Sequence, residues 1–66
     1  MKFLQGEVSF FHDKKKYGFI TPEEGEDDLF FHISDVEGED ISEGDEVEFE
    51  TEEAEKGPRA VGIKVL

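Results

Sequence analysis

The chain has 66 residues, with 19 Asp and Glu against seven Lys and Arg, a formal net charge of −12, and no cysteine. A domain of that length buries only about 60% of the surface its unfolded chain exposes, which excludes a large core beside a deep catalytic cleft, and the missing cysteine excludes disulfides and thiolate metal sites. No apolar run approaches the roughly 20 residues of a membrane-spanning helix. The opening Met1-Lys2-Phe3-Leu4-Gln5-Gly6-Glu7 is too short and too soon acidic for a signal peptide. These features predict a single domain over residues 1–66, monomeric and cytoplasmic, with a shallow binding surface and neither cofactor nor metal. Taken alone, the acidity opposes a nucleic-acid partner, because phosphate binding normally leaves a basic footprint.

Glycine and acidic clusters separate short β-type runs along the whole chain. The first strand is predicted over Phe3 to His12 and the second over Tyr17 to Pro22. A turn, Glu23 to Asp27, leads to the third over Asp28 to Ser34. A loop rich in glycine and acid, Asp35 to Gly44, follows, with room for one short helical turn between Ser34 and Ile41. The fourth strand, Asp45 to Thr51, alternates cleanly: Val47 and Phe49 point one way, Glu46, Glu48 and Glu50 the other. The fifth, Arg59 to Leu66, puts Val61, Ile63 and Val65 on one face. No segment carries a sustained 3.6-residue stripe, so the pattern predicts an all-β sandwich or barrel of five strands. The expected core is Val8, Ile20, Leu29, Phe31, Val47, Phe49, Val61 and Ile63.

Period-2 geometry sorts the aromatic residues. Tyr17 and Phe19 share one face of the second strand and Ile20 takes the other; Phe30 and His32 share one face of the third, opposite Leu29 and Phe31. A small barrel has one interior, and Ile20, Leu29 and Phe31 suffice to fill it. Tyr17, Phe19, Phe30 and His32 are therefore expected to face solvent as a contiguous patch, the mark of a binding surface. Flat rings beside cations suit unpaired bases on a phosphate chain, each base stacking on a ring while Lys or Arg follows the backbone. Five of the seven cations lie where this requires: Lys14, Lys15 and Lys16 run into Tyr17, and Lys56 and Arg59 flank the turn before the last strand. Gly18, between two rings, is read as letting a base lie close to the backbone.

Lys15-Lys16-Tyr17-Gly18-Phe19-Ile20 resembles the first ribonucleoprotein motif of cold-shock domains, Lys-Gly-Phe-Gly-Phe-Ile, and Leu29-Phe30-Phe31-His32-Ile33-Ser34 resembles the second, Val-Phe-Val-His-Phe-Ser. Gly6-Glu7-Val8-Ser9-Phe10-Phe11-His12 is similar to the opening Gly-x-Val-Lys-Trp-Phe-Asn. Glu43-Gly44 and Lys56-Gly57-Pro58 match further landmarks, so the resemblance runs from about Gly6 to Leu66. It implies a five-stranded antiparallel OB-type β-barrel that binds single-stranded RNA or DNA with weak sequence preference and serves as an RNA chaperone. Carried over by position, the stacking residues are Phe10, Tyr17, Phe19, Phe30 and His32. Lys15 lies by the backbone, Lys56 and Arg59 near the strand's path, and Asp28 is placed to accept a hydrogen bond from a base; Lys16 is counted with them for its charge in the lysine run before Tyr17. Of the adjacent Phe10 and Phe11, the resemblance makes Phe10 the outward one.

The departures predict fewer stacked bases and lower affinity than is usual for such a domain. Phe10 stands where Trp is usual, Ser9 where Lys, His12 where Asn, Lys16 where Gly and Ile33 where Phe; the loop from Asp35 to Ile41 is short and lacks an aromatic. His12 on its own reads as a turn residue. The acids fall mainly on turns and on the outer face of the fourth strand, apart from both motifs in the linear sequence. They suit a high-salt cytoplasm: at about 1 M salt the Debye length is ~3 Å, which nearly abolishes repulsion from phosphate. Stacking at about 1–3 kcal/mol per base would then carry the affinity, ~4–12 kcal/mol for four platforms before ordering costs. A rival reading uses the acidic barrel as a protein-interaction module or nucleic-acid mimic, but a mimic has no need of rings at both motifs. The acidic turn Glu23 to Asp28 lacks the ligand spacing of an EF-hand loop. No phosphate-cradling Gly-Lys loop, paired-His metal motif or serine triad context points to an enzyme or to a small-molecule substrate.

Overall fold

The computed structural model describes residues 3–24, 27–55 and 57–66. The alternating runs form five strands: β1 (Leu4–His12), β2 (Tyr17–Pro22), β3 (Leu29–His32), β4 (Glu46–Ala54) and β5 (Gly57–Val65). They close into a barrel in the order β1-β2-β3-β5-β4. The pairs β1–β2, β1–β4, β2–β3 and β4–β5 are antiparallel. The closing contact between β3 and β5 is parallel and rests on Phe30 and Arg59. Between β3 and β4 lie two 3₁₀ turns, Ile33–Asp35 and Glu37–Glu39, where one short turn was expected. Val36 between them bridges to Ile63 of β5 and so ties the connection to the barrel.

Seven of the eight expected core residues are buried, and Val36, Ile41 and Ala60 join them. Val61 is the exception: it is half-buried, and Ala60 points inward in its place. The cause is a break in alternation. Glu50 of β4 pairs with Val61 and Glu48 with Lys64, so Phe49 faces two residues of β5, Gly62 and Ile63. Gly62 has φ 58°, a left-handed conformation that glycine adopts without steric cost and that marks a bulge. Each side of the bulge keeps its own alternation, which is why Ala60 and Ile63, three apart, both reach the core. Val65 packs against that core from the rim.

A second bulge decides the outward face of β1. Val8 pairs with Ile20 but Phe10 pairs with Phe19, so Ser9 is the extra residue. Without it Phe10 would follow Val8 inward. With it, Phe10 is turned outward, 38% exposed, and Phe11 stacks on the buried Phe31 ring, centroids 6.0 Å apart.

Candidate nucleic-acid interface

The register of β1, β2 and β3 places six ring-bearing residues in two rows of three. One row is Phe10, Phe19 and Phe30; the other is His12, Tyr17 and His32. Side chains opposite one another in adjacent strands lie on the same face, so all six share the outer surface of the barrel. Neighbouring rings are close: Phe10–Phe19 6.3 Å, Phe19–Phe30 6.0 Å, His12–Tyr17 5.8 Å, Tyr17–Phe30 5.8 Å and Phe10–Tyr17 6.1 Å between centroids. Several are edge-on or tilted, the arrangements favoured by the ring quadrupole. Mutual contact half-buries Tyr17 and Phe19, while Phe10 and Phe30 stay exposed at the margins.

His12 is the ring that sequence reasoning missed. Its turn role is real: Nδ1 accepts the Lys15 backbone N–H at 3.2 Å, and its carbonyl accepts that of Lys16 at 2.8 Å. The same imidazole also lies nearly parallel to Tyr17, 11° between planes. The available signal was position: once the resemblance turns Phe10 outward, His12, two residues on, shares its face. His32 is exposed, and its Nδ1 accepts the Ser34 backbone N–H at 3.1 Å. In the neutral imidazole the proton is then on Nε2, leaving that atom as a donor.

Gly18 has a different reason from the one its sequence context suggested. It points into the barrel, where a Cβ would sit 2.2 Å from the Phe10 carbonyl oxygen and 2.9 Å from two Phe31 ring carbons. Its missing side chain lets β1 and Phe31 approach β2 from within and does not open the outer face to a base.

The cations are distributed unevenly. Lys14, Lys15 and Lys16 are exposed in the turn beside His12 and Tyr17. Lys16 has φ 60°, a left-handed conformation unfavourable for a side-chain-bearing residue. Arg59, in register with Phe30, instead meets Asp35 at 3.3 Å, the one ion pair found among the described residues. Lys56 lies outside the described residues. Asp28 is exposed, but both its oxygens have partners: Oδ1 accepts the Thr21 hydroxyl at 2.7 Å, and Oδ2 lies 3.4 Å from the Ser9 hydroxyl. The bulge residue thus also braces the candidate base acceptor.

The acids come nearer to the rings than their sequence positions suggest. A shallow groove runs on from Phe19 and Phe30 past Leu29 and Pro58, and Glu23, Glu24, Asp27 and Asp28 line it. On β4 the outward Glu46 faces Glu7 of β1, Glu48 faces Lys64 and Glu52 faces Arg59.

The family description 'Cold-shock' DNA-binding domain matches residues 4–66. The chain belongs to the cold-shock domain family. It is 47% identical over 66 residues to a cold shock-like protein of Thermotoga maritima, covering 96% of this chain and 98% of that one. It is 39% identical over 66 residues to the cold shock-like protein CspC of Escherichia coli K12, covering 96% of each. Among solved structures it is similar to drosophila Unr CSD456, with TM-score 0.82 and 33% identity over 98% of this chain, which spans 27% of that longer one. The five-stranded OB-type barrel expected from the motifs is therefore the family's fold.

Proposed function

We propose that this cold-shock domain binds single-stranded RNA or DNA with little sequence preference and acts as an RNA chaperone, holding strands open by stacking their bases. The observation that carries the reading is the array of rings across β1, β2 and β3, spaced 5.8–6.3 Å apart on the outside of the barrel. Phe10, Tyr17, Phe19, Phe30 and His32 serve as the platforms, and His12 extends them toward the lysine turn. Lys15 and Lys16 follow the phosphates past Tyr17, and Lys56 and Arg59 are the further cations assigned to the backbone. Asp28 accepts from a base amino or imino group. Stacking needs only a π-face, which every base has, so the preference for sequence is weak. No helix among the described residues is long and apolar enough to cross a membrane, and we place the protein in the cytoplasm as a monomer.

The test is titration of a labelled oligopyrimidine with wild type and with Phe19→Ala/Phe30→Ala. Binding by wild type and loss in the double variant supports the reading. No binding by wild type, or equal binding by both, refutes it and favours the acidic protein-interaction module.

A further inference from the structure

Arg59 is the only arginine in the chain. Its planar guanidinium can grip phosphate through two parallel hydrogen bonds or lie against a ring, which lysine does less well. Its backbone position is also favourable, since it pairs with Phe30 where β3 and β5 close the barrel. Yet its Nη2 lies 3.3 Å from Asp35 Oδ2, with the Arg59 side chain 38% exposed and that of Asp35 20%. Oδ2 is buried and has no hydrogen-bond partner, so the contact is close in distance but off the bonding angle. Arg59 is thus the group that offsets the charge on this buried oxygen.

We propose that Asp35 is an intramolecular competitor for phosphate: it holds Arg59 at the margin of the aromatic face and so lowers the affinity for single-stranded nucleic acid. This rests on the reading of that face as a nucleic-acid site. Binding a phosphate at Arg59 requires exchanging one anion for another, and withdrawal of the guanidinium leaves a buried carboxylate oxygen without compensation, which is costly. The geometry therefore opposes release. Glu52, exposed and opposite Arg59 on β4, is a second anion able to recapture it. Lys14, Lys15 and Lys16 have no described carboxylate within salt-bridge distance and carry no comparable handicap.

The mechanism separates Asp35 from the general acidity of the surface. Asp35→Asn removes one negative charge and frees Arg59. Asp40→Asn removes the same charge from an exposed loop position and frees nothing. For a partly exposed ion pair, the gain from Asp35→Asn is about two- to fivefold tighter binding of a labelled oligopyrimidine at ~0.1 M salt. One added phosphate contact steepens the plot of log affinity against log salt by about 0.7. Asp40→Asn yields less of both. In the double variant Asp35→Asn/Arg59→Gln the gain over Arg59→Gln alone disappears. Thermal melting checks that each variant is folded, and Asp35→Ser replaces Asp35→Asn if the latter is not.

Affinity of Asp35→Asn equal to wild type or to Asp40→Asn, or a gain that survives Arg59→Gln, overturns the proposal while the binding site stands. Failure of wild type to bind at all overturns the site and this inference together.

Discussion

On β1, β2 and β3 the outward positions nearest the Lys14–Lys16 turn hold rings; on β4 the outward positions hold carboxylates, with Glu46, Glu48, Glu50 and Glu52 facing away from Val47 and Phe49. Both surfaces follow from the same two-residue alternation over a shared core. Their physics differs in range and in response to salt. A ring acts at contact distance and is little affected by ions, whereas a carboxylate acts over about a Debye length, ~10 Å at 0.1 M salt and ~3 Å at 1 M. The comparison separates affinity from charge. In the proposed reading the rings supply contacts for bases, and the carboxylates set the ionic conditions under which a polyanion can reach them. Net charge alone would have excluded the ligand that the aromatic side fits.

The contrast can be broken or sharpened by mutation, beginning where the effect is largest. Phe19→Ala/Phe30→Ala removes two adjacent platforms. At about 1–3 kcal/mol per stacked base the loss is roughly 2–6 kcal/mol, or ~30- to 10⁴-fold in affinity. Both residues lie outside the core cluster, so far-UV circular dichroism of the variant should match wild type. A fall in affinity of less than tenfold would show that the rings do not dominate.

Lys16→Gly acts on the border between the two behaviours. Lys16 holds φ 60°, a strain of about 1–2 kcal/mol that glycine escapes, offset in part by the greater freedom of glycine in the unfolded chain, roughly 0.4–1 kcal/mol. Denaturant unfolding should show a net gain of about 0.5–1 kcal/mol. Binding should weaken slightly, and its salt slope should shrink by about 0.7 if Lys16 meets a phosphate. A variant no more stable than wild type would remove the strain argument. A variant with an unchanged slope would remove Lys16 from the backbone path.

The smallest effect belongs to the carboxylate side. Glu7 and Glu46 stand directly opposite across β1 and β4, and like charges so placed destabilise by a few tenths of a kcal/mol. Glu46→Gln should raise Tm slightly in dilute buffer and not at high salt. Wild type itself should melt at rising temperature from about 0.1 to 3 M KCl, as screening relieves self-repulsion. A flat or falling Tm would contradict the charge account.

Much of this was legible in the sequence because alternation is local. The bounds of β2 (Tyr17–Pro22) and the inward Val47 and Phe49 of β4 followed directly from the period of two. Alternation failed where one residue was inserted. Gly62 broke the register of β5, so Val61 was placed in the core and Ala60 was not. Ser9 broke the register of β1, and there only family resemblance, not periodicity, pointed Phe10 outward. Val36 and Ile41 escaped notice because they lie in the irregular connection between strands, where no period assigns a face. Gly18 was seen but misassigned, since the sequence does not reveal that Phe31 and the Phe10 carbonyl press on it from inside. The Arg59–Asp35 pair depends on the parallel closure of β3 and β5, a long-range contact with no local signature.

The central claim is that rings, more than charges, carry the binding. The most direct measurement is the affinity of the wild-type protein for a labelled oligopyrimidine as KCl rises from about 0.05 to 1 M, spanning Debye lengths from over 10 Å to ~3 Å. The account predicts binding that persists at 1 M, with a plot of log affinity against log salt no steeper than about two phosphate contacts, a slope near −1.4. Affinity that collapses by roughly 10³-fold or more between 50 and 200 mM, as for a binder held by many phosphate contacts, would contradict it.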